Sequence, residues 1–135
     1  MAIYGSRIHG CFIASLGKNE IVGTKTGIGF GKENTYKIVA ANEGEKTVAQ
    51  ACIDYEQNGY KDWFLPSIDE VSLLILPKDH SARCKYCDKH FGTRKVVSSS
   101  EADEFRVTGF KFEYMQMMKL GKDDFTMKCI PFRVF

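Results

Sequence analysis

The chain has 135 residues, of which 44% are apolar and 27% charged, with a formal net charge of +2; this length suits one domain. Leu, Ile, Val and Phe make up about a quarter of the residues, above the roughly 20% below which disorder is expected. The length excludes a barrel of eight β/α units, and no apolar run reaches the roughly 18 residues of a membrane span.

The charge is unevenly placed. Between Lys78 and Lys95 stand Lys78, Arg83, Lys85, Lys89, Arg94 and Lys95 against Asp79 and Asp88. That stretch carries +4, which leaves −2 for the remainder. A protein that coats nucleic acid throughout would be more basic, so an electrostatic partner is expected to meet this segment alone.

In chain order, residues 8–16 carry apolar side chains at both alternating sets of positions, which predicts a strand buried on both faces. His9, Gly10 and Ser15 interrupt the run, and no clean small-residue cleavage pattern follows. No secretory signal is therefore read. Synthesis in a cytoplasm, with reduced thiols, is the expectation; five cysteines also argue against a complete disulfide framework. Residues 17–34, rich in Gly, Thr, Lys and Asn, predict a long ordered loop. Its glycines fit neither G-x-G-x-x-G nor G-x-x-x-x-G-K-[ST], so no nucleotide site is assigned.

Residues 45–58 predict a helix. Val48, Cys52 and Tyr55 fall at i, i+4 and i+7, and Asn58-Gly59 offers a left-handed stop. Cys52 reads as a core thiol. A second helix follows Pro66: Ser67 and Glu70 have the spacing of a capping box, and Ile68, Val71, Leu74 and Ile75 form an apolar stripe that Pro77 ends. Asp69 and Glu70 suit this helix start better than an acid/base pair.

The basic segment contains His80, Cys84, Cys87 and His90 in the order H-x3-C-x2-C-x2-H. Thiolate and imidazole are the preferred ligands of tetrahedral Zn²⁺, and C-x2-C lets two thiolates turn onto one ion. Three readings are open: a zinc site, an exposed polar loop with incidental cysteines, and a Cys84–Cys87 redox pair. Cys11 or Cys129 could replace one histidine in the first. No carboxylate cluster suits calcium.

Ser98, Ser99 and Ser100 lack the G-x-S-x-G elbow of a nucleophilic serine. Further on, Phe110, Phe112 and Tyr114 alternate with polar residues, which predicts a strand. Gly121 to Asp124 forms a turn candidate, and residues 125–135 the returning strand. Met115, Met117 and Met118 read as core filler. Repeats, low-complexity tracts and linkers are absent, so residues 1–135 are one expected domain.

Several segments, taken together and in order, resemble a known family. They are His9-Gly-Cys-Phe-Ile-Ala14, Thr26-Gly-Ile-Gly-Phe-Gly-Lys-Glu-Asn-Thr35, Lys37-Ile-Val-Ala-Ala41 and Ala49 to Tyr55. Gly59-Tyr-Lys-Asp-Trp-Phe-Leu-Pro-Ser67, Asp69-Glu70, Ser98-Ser-Ser-Glu101 and Pro131-Phe-Arg-Val-Phe135 complete the series. The series resembles the domain family DUF1566, the Lcl carboxy-terminal domain. The resemblance implies an α+β, C-type lectin-like fold: two helices packed on irregular antiparallel sheets with long ordered loops. It also implies a surface or extracellular binding module, glycan binders included, without established catalytic residues. Beside it, the residues suggest that Trp63 packs against the helices and that Pro66 sets the entry to the second one. Val96-Val97 stand where the family usually has Tyr-Trp. The Glu-Pro-Asn and Trp-Asn-Asp motifs of calcium-dependent lectins are missing.

The expectation is a non-enzymatic binding or assembly module, with a bacteriophage virion component (capsid decoration, fibre or tail adhesion protein) as its setting. Virion proteins fold in the host cytoplasm and leave by lysis, which reconciles a surface role with the absence of a signal. Expected partners are other virion or surface proteins, glycan, and further copies of the chain, with no membrane insertion. The alternatives are a glycan-binding adhesin and a nucleic-acid-binding protein that uses the Cys/His loop as a zinc knuckle.

Overall fold

The computed structural model describes residues 17–43, 45–56, 59–73, 95–111, 116–122 and 131–133. The predicted strand at 8–16 and the segment bearing His80, Cys84, Cys87 and His90 lie outside them. Described regular structure consists of helices α1 (Gly31–Ala41), α2 (Val48–Asp54) and α3 (Ile68–Leu73), then strands β1 (Lys95–Glu101), β2 (Arg106–Lys111) and β3 (Gln116–Gly121). The architecture is α+β. No helix among the described residues is long and apolar enough to cross a membrane.

Helix α1 corrects the expected 17–34 loop, which ends at residue 30. Its buried positions are Gly31, Asn34, Thr35 and Ile38, spaced i, i+3, i+4 and i+7 as a helix requires. Three of the four are not hydrophobic, and the N-cap residue Phe30 makes no side-chain cap of its own. On the outer face Lys37 pairs with Glu33 at 3.2 Å. The helix closes where Asn42 Nδ2 donates to the Ile38 carbonyl at 2.8 Å.

Helix α2 is shorter than the expected 45–58 segment. Thr47 Oγ1 accepts from the Gln50 N–H at 3.2 Å and sets the start, as an N-cap does. Val48, Ala49 and Cys52 are buried, so Cys52 is a core thiol. Tyr55 leaves the helix in an extended conformation and meets Trp63 edge-on at 5.3 Å. Trp63 is buried, and its Nε1 donates to the Tyr60 carbonyl. The left-handed Gly59 belongs to the following loop rather than to the helix end.

The capping box at α3 is present as read. Glu70 N–H donates to Ser67 Oγ at 3.3 Å, and Ser67 N–H donates to Glu70 Oε1 at 3.0 Å. Ile68 and Val71 face inward; Leu74, Ile75 and Pro77 lie outside the described residues.

The sheet has the order β1-β2-β3, antiparallel throughout. Val96 faces Phe110 and Val97 faces Gly109, after which the register shifts before Glu101 meets Val107. Val107 faces Leu120 and Phe110 faces Met117. Strand alternation sends Val97, Val107 and Leu120 into a core shared with Ile38, Val48, Ala49, Cys52 and Leu65. Val96 and Phe110, on the opposite face, are buried too.

Two expectations for the carboxy-terminal third need correction. Residues 116–121, rather than a segment after Gly121, form the partner of β2. Of the predicted return, Phe132 makes an isolated antiparallel bridge with Phe64 instead; residues 112–115 and 123–130 lie outside the described set. The methionines are not uniformly core filler. Met118 packs against the core, but Met117, on the opposite face of β3, is 57% exposed.

Candidate functional site

Loop 17–30 crosses the molecule between α1, α3 and β1, and buried side chains of those elements satisfy its backbone. Asn42 Oδ1 accepts from the Lys18 N–H at 2.8 Å. Asn34 Oδ1 accepts from the Lys25 N–H, while its Nδ2 donates to the Lys25 carbonyl and to Ser99 Oγ. Ser100 Oγ donates to the same Lys25 carbonyl and accepts from the Ile68 N–H. The Asp69 N–H reaches the Thr26 carbonyl, and Ser67 Oγ donates to that of Gly27. Buried backbone groups require such partners; here they come from elements distant in sequence.

Ser98, Ser99 and Ser100 are therefore interior groups, each fully buried. The Ser98 hydroxyl donates to the Thr108 carbonyl at 2.7 Å and accepts from the Ser100 N–H. These hydroxyls are committed to holding a bulged strand and a loop together.

Two carboxylates anchor the junction. Glu70 is fully buried, and its Oε1 accepts from Gly31 N–H at the start of α1 as well as from Ser67 N–H at the start of α3. One oxygen thus neutralises two helix starts, where the backbone dipoles favour negative charge. Glu70 Oε2 is buried without a hydrogen-bond partner. Residue 31 must be glycine for this contact: a β-carbon there would collide with Glu70 Oε1 and come within 2.9 Å of the Phe64 ring.

Glu101, the last residue of β1, receives the N–H groups of Val22 at 2.9 Å, Gly23 at 2.7 Å and Thr24 at 3.1 Å. Lys122 Nζ lies 3.0 Å from its Oε2, with side-chain exposures of 2% for Lys122 and 9% for Glu101. Desolvation raises the Glu101 carboxyl, but hydrogen bonds from Val22, Lys122, Thr24 and Gly23 outweigh it and hold it below the usual glutamate range.

The same loop exposes two apolar side chains. Ile21 is 74% exposed and Ile28 55%. Phe105, in the β1–β2 turn, is 54% exposed, and its carbonyl accepts from the Lys122 N–H. Elsewhere, Arg133 binds Asp62 and lies over the half-exposed Tyr60 ring at 3.5 Å. The hydrogen bond from Arg133 is the main reason that the Asp62 carboxyl is lowered from its ordinary range.

Of the residues the sequence singles out, Ser67 and Glu70 meet at the junction. His80, Cys84, Cys87, His90, Cys11 and Cys129 lie outside the described residues. Among the described residues, no three His, Cys, Asp or Glu side chains gather as metal ligands would. Asn34 and Glu101 lie in segments that carry the family resemblance, but no local pattern gives them or Lys122 a role, since their partners lie 9 to 102 positions away. Comparison with family models, curated proteins and solved structures gives no match to this chain.

Proposed function

We propose that this protein is a non-enzymatic binding or assembly module of C-type lectin-like architecture, working as a virion component. The observation that carries the binding role is the loop at 17–30, ordered by buried side chains while Ile21 and Ile28 face outward. A surface loop on a rigid scaffold is the usual place for recognition, and Ile21 and Ile28 are the apolar side chains this one offers to a partner. The virion setting rests on the family resemblance and on the multivalent packing that strengthens weak single contacts. Zinc held by His80, Cys84, Cys87 and His90 is part of the same proposal, and rests on the ligand types and spacing.

Sedimentation across a range of concentrations tests the assembly role. Self-association is expected, weakened in the Ile21→Lys, Ile28→Lys double variant. A strictly monomeric protein that binds single-stranded nucleic acid with a steep salt dependence would overturn it in favour of a zinc-knuckle function. Elemental analysis of protein purified without added metal should find about one zinc per chain; none would remove zinc from the proposal.

A further inference from the structure

We propose that the N–H groups of Val22, Gly23 and Thr24, together with the Lys122 ammonium, form an anion-binding nest that Glu101 fills from within the chain, latching the loop to the sheet. Gly23 has φ +87°, a left-handed conformation that lets successive N–H groups converge on one point. Glu101 Oε1 accepts from all three, at 3.1, 2.7 and 3.1 Å, and Thr24 Oγ1 stands 3.4 Å away. Oε2 takes Val22 N–H and Lys122 Nζ. The grip is reciprocal, because Glu101 N–H donates to Thr24 Oγ1 at 2.8 Å and Lys122 Nζ donates to the Glu20 carbonyl at 2.6 Å.

Independent anchors lie on either side: Lys18 on Asn42 and Lys25 on Asn34 and Ser100. Between them the loop carries the exposed Ile21. It is held by Glu101, by the packing of Val22 on the core and by Lys37 Nζ on the Gly23 carbonyl. The charged groups around the nest are Lys122 after β3, Lys37 with its partner Glu33 on α1, Glu20 and Lys25 on the loop, and Asp103 of the β1–β2 turn with Arg106 at the start of β2. Lys122 is the cation on the carboxylate. Without Glu101, three converging donors and a buried ammonium would remain, a receptor for a free carboxylate or phosphate.

Amide hydrogen exchange in Glu101→Ala tests this. Exchange at Val22, Gly23 and Thr24 should accelerate by about tenfold or more, the equivalent of one charge-assisted hydrogen bond. Ala51, Val71 and Phe132, whose N–H groups bond to Thr47, Ser67 and Phe64, should keep their rates. Added acetate or inorganic phosphate should restore the three amides saturably, and Lys122→Met in the same background should abolish the rescue. Where Glu101→Ala does not fold, Glu101→Gln keeps an acceptor oxygen and should show the same selective acceleration to a smaller degree. Unchanged protection at Val22–Thr24, uniform acceleration of every amide in both variants, or absence of rescue by either anion would each overturn the proposal.

Discussion

The two sides of β1 and α1 are stabilised by different physics. Toward α2 and the rest of the sheet, Ile38 and Val97 meet Val48, Cys52, Val107 and Leu120 in apolar contact. Toward loop 17–30, Asn34, Ser100 and Glu101 meet backbone amides and carbonyls instead, with Ser99 Oγ supporting the Asn34 amide. Apolar packing is non-directional, so it resists a deletion in proportion to the volume removed. A buried polar contact is directional, and removing one partner leaves the other without water or substitute. The second region should therefore fail more sharply per atom deleted, although it buries fewer hydrocarbon groups.

Glu70→Ala breaks the comparison hardest. It orphans the Gly31 and Ser67 N–H groups together, and should cost about 2–6 kcal/mol by denaturant titration, at about 1–3 kcal/mol for each buried donor left without a partner. Leu120→Ala, its apolar counterpart, removes a comparable number of atoms and should cost about 2–5 kcal/mol, depending on how far the core collapses. Glu70→Gln decides between volume and polarity, since it keeps the size and one acceptor. A loss as large as that of Glu70→Ala would show that the charge itself holds the two helix starts.

Glu101→Gln sharpens the electrostatic part. At neutral pH it should cost about 2 kcal/mol, the value of hydrogen bonds to a charged group. The Glu101 carboxyl is lowered in the folded state, so its stabilisation is fully present above the ordinary glutamate range and is lost as pH falls through the lowered value. The difference between wild type and Glu101→Gln should accordingly shrink in acid, when the wild-type side chain is itself neutral. A difference independent of pH would mean that shape, not charge, is what matters at this position. Ser67→Ala is the smallest of the series. It removes the cap on α3 and the bond to Gly27, and should cost about 1 kcal/mol; a loss within error would assign the α3 start to Glu70 alone.

The same division decides what could be read from the chain. Val48 and Cys52 announce α2 because its buried face is apolar, and Ser67 with Glu70 announces α3 because a capping box is local. Helix α1 gives no such sign: its inner face is Gly31, Asn34, Thr35 and Ile38, which patterning by hydrophobicity reads as a loop. Strand β1 is hidden likewise by three consecutive buried serines and a register shift. The end of α2 at Asp54 depends on Tyr55 turning out to meet Trp63, a tertiary contact without a local cue. The junction was legible only at the capping box. Asn34 and Glu101 are polar residues whose burial follows from distant backbone, and polarity alone predicts exposure.

The groups by which the junction grips the loop are largely main-chain amides and carbonyls, which are the same whichever side chain a residue bears. Ile21 and Ile28 can accordingly be exchanged for other residues without altering the donors and acceptors that fix the loop's path. Variation at these two positions can change what the surface contacts while the conformation that displays it is retained. In a diversified library, 21 and 28 are the positions to randomise, and 23, 31, 34, 70 and 101 the ones to leave constant.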